Sequence, residues 1–321
     1  MKKIIIVADA STAIGSGHVM RCLTIAKSLE KQQCEVKFLM SDLPGNLIQF
    51  VEKEGFVNIT AYENADLYII DHYEIGMVQE REIRKFTKRI MVIDDLANRE
   101  HDCDMILDQN VTPHYDRRYD FLVNEKCLRL LGPKYLIMRE EFIQARYHRN
   151  IRHVQRILVF MGGSDPTAET LKVLEALGDF NFAHIDVVVG NGNVHKDEIK
   201  QVCYKRNYHY HQQINYIAEL MGKADFSLGA GGATTWERCF VGLPAACTIV
   251  ADNQCIGIEY AAKLGACISL GWHEQVTVET YRDVLNNLSI SELQTISDKG
   301  LQITVNNQPN LWLYEILELI Q

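Results

Sequence analysis

Ile14-Gly15-Ser16-Gly17-His18-Val19-Met20-Arg21-Cys22 decides how this chain is read. An apolar run, Ile4-Ile5-Ile6-Val7, precedes it, and Leu23, Ile25, Ala26 and Leu29 follow at helical spacing. The order is strand, tight loop, helix, the front half of a βαβ unit. Gly15 and Gly17 let backbone N–H groups approach an anion or a sugar at the helix start, because no Cβ stands in the way. His18 falls in the first helical turn, where the positive end of the peptide dipoles favours an uncharged ring. A neutral imidazole at a glycine-lined loop is a candidate general base.

Two plainer readings of the loop compete. A dinucleotide site needs a third glycine where this chain has Met20, although Asp42, after the strand Val36-Lys37-Phe38-Leu39-Met40, keeps that reading open. Alternatively, His18 only caps its own helix. Composition narrows the class. With 321 residues, 47% hydrophobic and 23% charged, the chain has room for two ordinary domains. A formal net charge of -9 argues against a nucleic-acid partner. Nine cysteines without any C-x-x-C pair have mostly apolar neighbours, as in a reduced, cytoplasmic protein. The four-residue apolar run ahead of Asp9 is too short for a signal sequence, and no stretch has the length of a membrane helix. A monomer without membrane contact is expected.

Further along, Asp66-Leu67-Tyr68-Ile69-Ile70-Asp71 reads as a buried strand ending in His72-Tyr73, and Arg89 to Ile93 as one ending in Asp94-Asp95. Asp104 to Leu107 ends in Asp108-Gln109-Asn110, and Leu128 to Pro133 closes this half. Alternation of strands and helices implies a parallel α/β sheet. The Arg- and His-rich stretch Arg146 to Arg156 reads as a solvated connection, dividing the chain into domains at 1–150 and 151–321. The alternation then restarts with Ile157-Leu158-Val159-Phe160. Two glycine turns, Gly162-Gly163-Ser164 and Gly231-Gly232-Ala233, fall at strand-to-helix junctions, where backbone donors suit a diphosphate without a metal. Glu237, one turn into the second of these helices, is placed to accept from both ribose hydroxyls. Asp102-Cys103-Asp104 spells a D-x-D, which is either a metal site or the polar lead-in to Met105-Ile106-Leu107.

These motifs, in this order, resemble the UDP-2,4-diacetamido-2,4,6-trideoxy-β-L-altropyranose hydrolases of pseudaminic acid biosynthesis, the PseG type. That family is related to GT-B glycosyltransferases of the MurG kind. The matching stretches run from Asp9-Ala10-Ser11 and the Gly15 to Cys22 loop through Ile70-Asp71-His72-Tyr73, Asp94-Asp95 and Gly132-Pro133-Lys134-Tyr135. They continue to Met161-Gly162-Gly163-Ser164-Asp165, Ala230 to Glu237 and Asp252-Asn253-Gln254. One departure is Val7, where many members carry Arg two residues before the Asp. The resemblance implies two Rossmann-like domains facing across a cleft, with UDP held by the second and the sugar reaching the first. It implies a metal- and cofactor-free hydrolysis with inversion. His18 is then the general base, and Tyr73 and Asn253 belong to the catalytic centre. Substrate contacts are implied at Asp9, Gly15, Gly17, Arg21, Gly162, Gly163, Ser164, Gly231, Gly232, Ala233, Glu237 and Gln254. A glycosyltransferase with the same anomeric chemistry and a non-catalytic sugar-nucleotide binder are the alternatives.

Overall fold

A computed structural model describes residues 1–12 and 14–321. The chain forms two compact units, Met1–Met138 with Asn307–Gln321, and Arg139–Asn306.

The first unit is built on β1 (Lys3–Ala8), β2 (Glu35–Leu39), β3 (Val57–Ile59), β4 (Leu67–Asp71), β5 (Ile90–Ile93), β6 (Met105–Asp108) and β7 (Leu128–Leu131). All are parallel, in the order β3-β2-β1-β4-β5-β6-β7. Central β1 is buried on both faces, which is why it reads as an unbroken apolar run. Ile4, Ile6 and Ala8 pack on one side with α1 (Gly17–Lys31), whereas Ile5 and Val7 pack on the other with Tyr68 and Ile70. Two further helices, α2 (Ile48–Lys53) and α3 (Met77–Ile83), connect β2 to β3 and β4 to β5.

In the second unit α4 (Glu140–Ala145) leads to β8 (Arg156–Phe160), α5 (Glu169–Leu177), β9 (His184–Val189), α6 (Lys196–Arg206), β10 (His209–Gln212) and α7 (Ile217–Lys223). Next come β11 (Phe226–Ala230), α8 (Ala233–Phe240), β12 (Ala245–Ile249), α9 (Cys255–Lys263), β13 (Ile268–Trp272), α10 (Val278–Asn286) and α11 (Ile290–Ile303). The six strands are parallel in the order β10-β9-β8-β11-β12-β13.

The expected division at 1–150 and 151–321 is corrected twice. The chain enters the second unit at Arg139, and its last helix, α12 (Leu311–Leu319), returns to the first, where Trp312, Leu313 and Ile316 join the core behind β1. The Arg-rich stretch, though exposed at His148, Arg152 and His153, is anchored to the second unit rather than a free linker. Arg149 is buried, and its guanidinium donates to the carbonyls of Met221 and Ala224 (both 2.6 Å) at the end of α7. Arg146 donates to Phe240 O (2.6 Å) at the end of α8 and to Leu301 O (3.0 Å) in α11. These cations answer orphan carbonyls at helix C-termini, where a positive charge is favoured.

Among the described residues no helix is long and apolar enough to cross a membrane. Eight of the nine cysteines are buried, and none forms a disulfide.

Candidate functional site

In open parallel sheets ligands bind beyond the carboxyl ends of the strands, where the strand order reverses. The first sheet reverses between β1 and β4, and the second between β8 and β11. The loop after β1 carries His18, and β4 ends on Asp71. Gly15 has φ +83°, a conformation that favours glycine, whereas a Cβ on Gly17 would meet nothing within 4 Å. Ser16 stands at the N-cap of α1 without capping it, the first turn has no acidic residue, and His18 is its second residue.

His18 Nδ1 lies 2.5 Å from Asp71 Oδ1. Burial alone would raise the Asp71 carboxyl, but Arg21 and then His18 hold it well below the usual carboxylate range. An ionised carboxylate only accepts, so the proton between them belongs to Nδ1 and the neutral ring keeps its lone pair on Nε2. Nε2 has no hydrogen-bond partner among the described residues and is not a sealed atom, although the residue is only 7% exposed. The Tyr73 ring stands edge-on to the imidazole at 4.5 Å, and its hydroxyl donates to Asp95 Oδ2 (3.2 Å).

Arg21, expected at the substrate, is engaged within the protein. Its Nε and Nη2 donate to Asp71 (2.6 and 2.7 Å), and Nη1 and Nη2 to Asp95 (3.0 and 2.9 Å). With both edges of the fork engaged and its side chain 9% exposed, Arg21 orients Asp71 instead. Asn110 Nδ2 extends the network from Asp95 Oδ1 (2.8 Å) to Asp108 Oδ1 (2.9 Å). Burial, then repulsion from Asp95, pushes Asp108 up to about 6 against the opposing pull of Arg118. Asp71, Asp95 and Asn110 were not singled out as site residues. The signal available was a polar residue closing each of three neighbouring strands.

Asp9, expected at the substrate, accepts from Ser41 N (2.6 Å) and pairs with His72 Nε2 (3.2 Å). Both residues line a cavity of about 1050 Å³ over the ends of β1 and β2, which Val7 also borders. Val7 gives this cavity an apolar wall.

The two glycine turns of the second unit differ. Behind Gly162 (φ +86°), the Asp165 carboxylate accepts from Glu169 N and Thr170 N (2.9 Å each) and occupies the start of α5. The expectation that this helix start serves a diphosphate is corrected accordingly, and only the loop amides of Gly162, Gly163 and Ser164 remain for that role. By contrast, α8 starts at Ala233 directly after Gly232 (φ +88°), with no side-chain cap and no acidic residue in its first turn. Thr235 N is taken by Gly232 O (3.0 Å), and the N–H groups of Ala233 and Thr234 face no side-chain cap and suit an anion. A Cβ on Gly231 would come within 2.8 Å of Gln254 Oε1, which accepts from Val250 N (3.0 Å). Gln254, expected as a substrate contact, thus has that oxygen engaged and backs the turn. Glu237 takes Arg139 Nη2 on Oε1 at 3.3 Å. Asn253 lies exposed in the short turn after β12.

Asp102 and Asp104 do converge, but on Arg84, at 3.4 and 2.6 Å. Among the described residues no group of three or more His, Cys, Asp or Glu is arranged to hold a metal ion.

No family profile matches the chain. A UDP-2,4-diacetamido-2,4,6-trideoxy-β-L-altropyranose hydrolase of Campylobacter jejuni is 30% identical over 208 residues, covering 60% of this chain and 72% of the relative. The spore coat polysaccharide biosynthesis protein SpsG of Bacillus subtilis is 26% identical over 302 residues, covering 86% and 85%. A Methanocaldococcus jannaschii protein is 30% identical over 266 residues, 75% of this chain, which spans only 54% of that relative's length. Among solved structures, Acinetobacter baumannii MurG superposes with a TM-score of 0.66 over 100% of this chain and 99% of its own, at 14% identity. The spinosyn rhamnosyltransferase SpnG also gives 0.66, over 99% and 100%, at 12% identity. These two show the fold, two parallel-sheet α/β domains of the GT-B type. By its identity to the Campylobacter enzyme over most of that enzyme's length, the chain belongs to the family of that hydrolase.

Proposed function

We propose that this protein hydrolyses the anomeric C1–O bond of a UDP-linked 2,4-diacetamido-2,4,6-trideoxy sugar, releasing UDP and the free sugar with inversion. The observation that carries the reading is the His18 Nδ1–Asp71 bond of 2.5 Å, which leaves Nε2 as the proton acceptor. The activity in the name of the Campylobacter relative supplies the substrate class. The uncapped start of α8 behind Gly231 and Gly232 supports diphosphate binding there, and Glu237 supports the ribose assignment.

UDP is a good leaving group at neutral pH and needs little proton donation. The protein's work is to position a water, take its proton and meet the growing phosphate charge with fixed dipoles. His18 Nε2 removes the proton from water as it attacks C1, and Asp71, held by Arg21, stabilises the imidazolium that forms. Tyr73 and Asn253 are assigned to the sugar.

Incubation with the UDP-sugar in the absence of any acceptor tests this by 1H and 31P NMR. Equimolar UDP and free sugar, first seen as the inverted anomer, is the expected result. UDP-sugar that disappears only when an acceptor alcohol is added would assign the chain to transfer, and UDP-sugar stable throughout would leave it a binding protein.

A further inference from the structure

At the starting edge of the second sheet, opposite its glycine turns, three strands bring basic and titratable groups onto one face. Arg156 of β8 is the register partner of His184 in β9, and Asp186, two residues on, is the partner of His209 in β10. Alternation along a strand puts His184 with Asp186, and His209 with His211, on shared faces. With α7 beside them these residues line an open cavity of about 400 Å³.

Its acidic groups are already answered. Asp186, 4% exposed, meets His211 Nε2 at 2.8 Å and His184 Nε2 at 3.3 Å. The other nitrogen of His211 meets the Tyr216 hydroxyl at 3.0 Å. Glu219 pairs with Lys223 on α7, and Asp225, just beyond that helix, accepts from the backbone N–H groups of Gln155 and Arg156 (2.9 Å each). Two of its basic groups, Arg156 and His209, are not answered. The Arg156 guanidinium has no acceptor among the described residues, and its Nε is sealed without a partner. The His209 ring has no hydrogen-bond partner among the described residues and lies stacked on His184 at 3.9 Å. The sealed Nε is out of an anion's reach, whereas Nη1 and Nη2 are neither sealed nor bonded among the described residues and can donate to an anion in the cavity.

We propose that this cavity binds a tetrahedral oxyanion of the phosphate or sulfate class, with Arg156 as the principal donor and His209 and His184 as further donors. Metal binding fits less well, because both nitrogens of His211 are engaged and no metal-holding group of three is present among the described residues. Burial holds His184 below its ordinary value, with Asp186 pulling the other way and His209 and Arg156 adding repulsion. An anion offsets that repulsion, so binding takes up protons and tightens as pH falls from 8 to 6. The inference is independent of the proposed hydrolysis.

The test titrates the intact chain with sodium sulfate at constant ionic strength, at pH 6 and pH 8, and follows the histidine side-chain 15N signals. Saturable shifts at His184 and His209 are expected, with affinity about tenfold higher at pH 6. Arg156→Gln should weaken binding by about tenfold or more. If that variant fails to fold, His209→Gln on the edge strand decides the matter at pH 6: a several-fold loss supports the site, and unchanged affinity overturns it. Shifts that never saturate, equal affinity at both pH values, or stoichiometric Zn2+ binding by these imidazoles where sulfate does not bind would each overturn the proposal.

Discussion

Two histidine–aspartate pairs stand at neighbouring strand ends of the first unit, bonded in opposite senses. His18 gives Nδ1 to Asp71 and keeps Nε2 open. His72 gives Nε2 to Asp9 (3.2 Å) and accepts Glu74 N (3.1 Å) on Nδ1, so no lone pair is left for a substrate proton. Composition alone does not separate the two pairs. The distinction lies in which nitrogen the carboxylate takes and in what meets the other one. The partners also differ. Asp71 is gripped by a guanidinium, whereas Asp9, which burial would raise, is lowered by His72 and by backbone and side-chain bonds at Ser41.

The sharpest way to break the comparison is to exchange the histidines. His18→Asn should lower turnover by about a hundred- to ten-thousand-fold while calorimetry finds UDP affinity unchanged. Undiminished turnover would remove His18 from the role. Asp71→Asn comes next. Its amide would donate to Nδ1, forcing the proton onto Nε2, and turnover should fall about a hundredfold or more with KM little changed. A structural role alone would instead lower the melting temperature and leave kcat intact in the folded fraction. Glu237→Ala, in the other unit, should weaken UDP binding by about tenfold through lost ribose hydrogen bonds, and full affinity would undo that assignment. His72→Gln should stay within about threefold of wild-type kcat, because its amide can still donate to Asp9 and no base is lost.

The smallest effect concerns stability. Asp108 has a folded value near 6, above its unfolded one, so the native state binds more protons between about pH 4 and 6. Its contribution is most favourable below that window and is lost as pH rises through it, by roughly 1–3 kcal/mol. Asp108→Asn should flatten this part of the pH dependence of urea unfolding, and an unchanged slope would contradict the assignment.

Much of the first unit was legible because β1, β4 and β5 are central strands, buried on both faces, and so read as apolar runs. The edge strand β10, His209-Tyr210-His211-Gln212, escaped notice because it is polar. The boundary at 150 was misplaced because a run of arginines looks solvated in sequence, whereas Arg146 and Arg149 find helix-end carbonyls more than 70 residues away. At the site, His18 and the glycine turns announce themselves locally. The roles of Arg21, Asp71 and Asp95 do not, since their pairings span 50 and 74 residues. In the same way, Asp165 distinguishes the start of α5 from that of α8 only through the folded position of its carboxylate.

The central claim is that the His18 ring carries its proton on Nδ1 and presents Nε2 as a base. Long-range 1H–15N spectra of the histidine side chains at neutral pH test it without substrate. The Nδ1–H tautomer at His18 alongside the Nε2–H tautomer at His72 is the predicted result, and a proton on Nε2 of a neutral His18 would contradict the account.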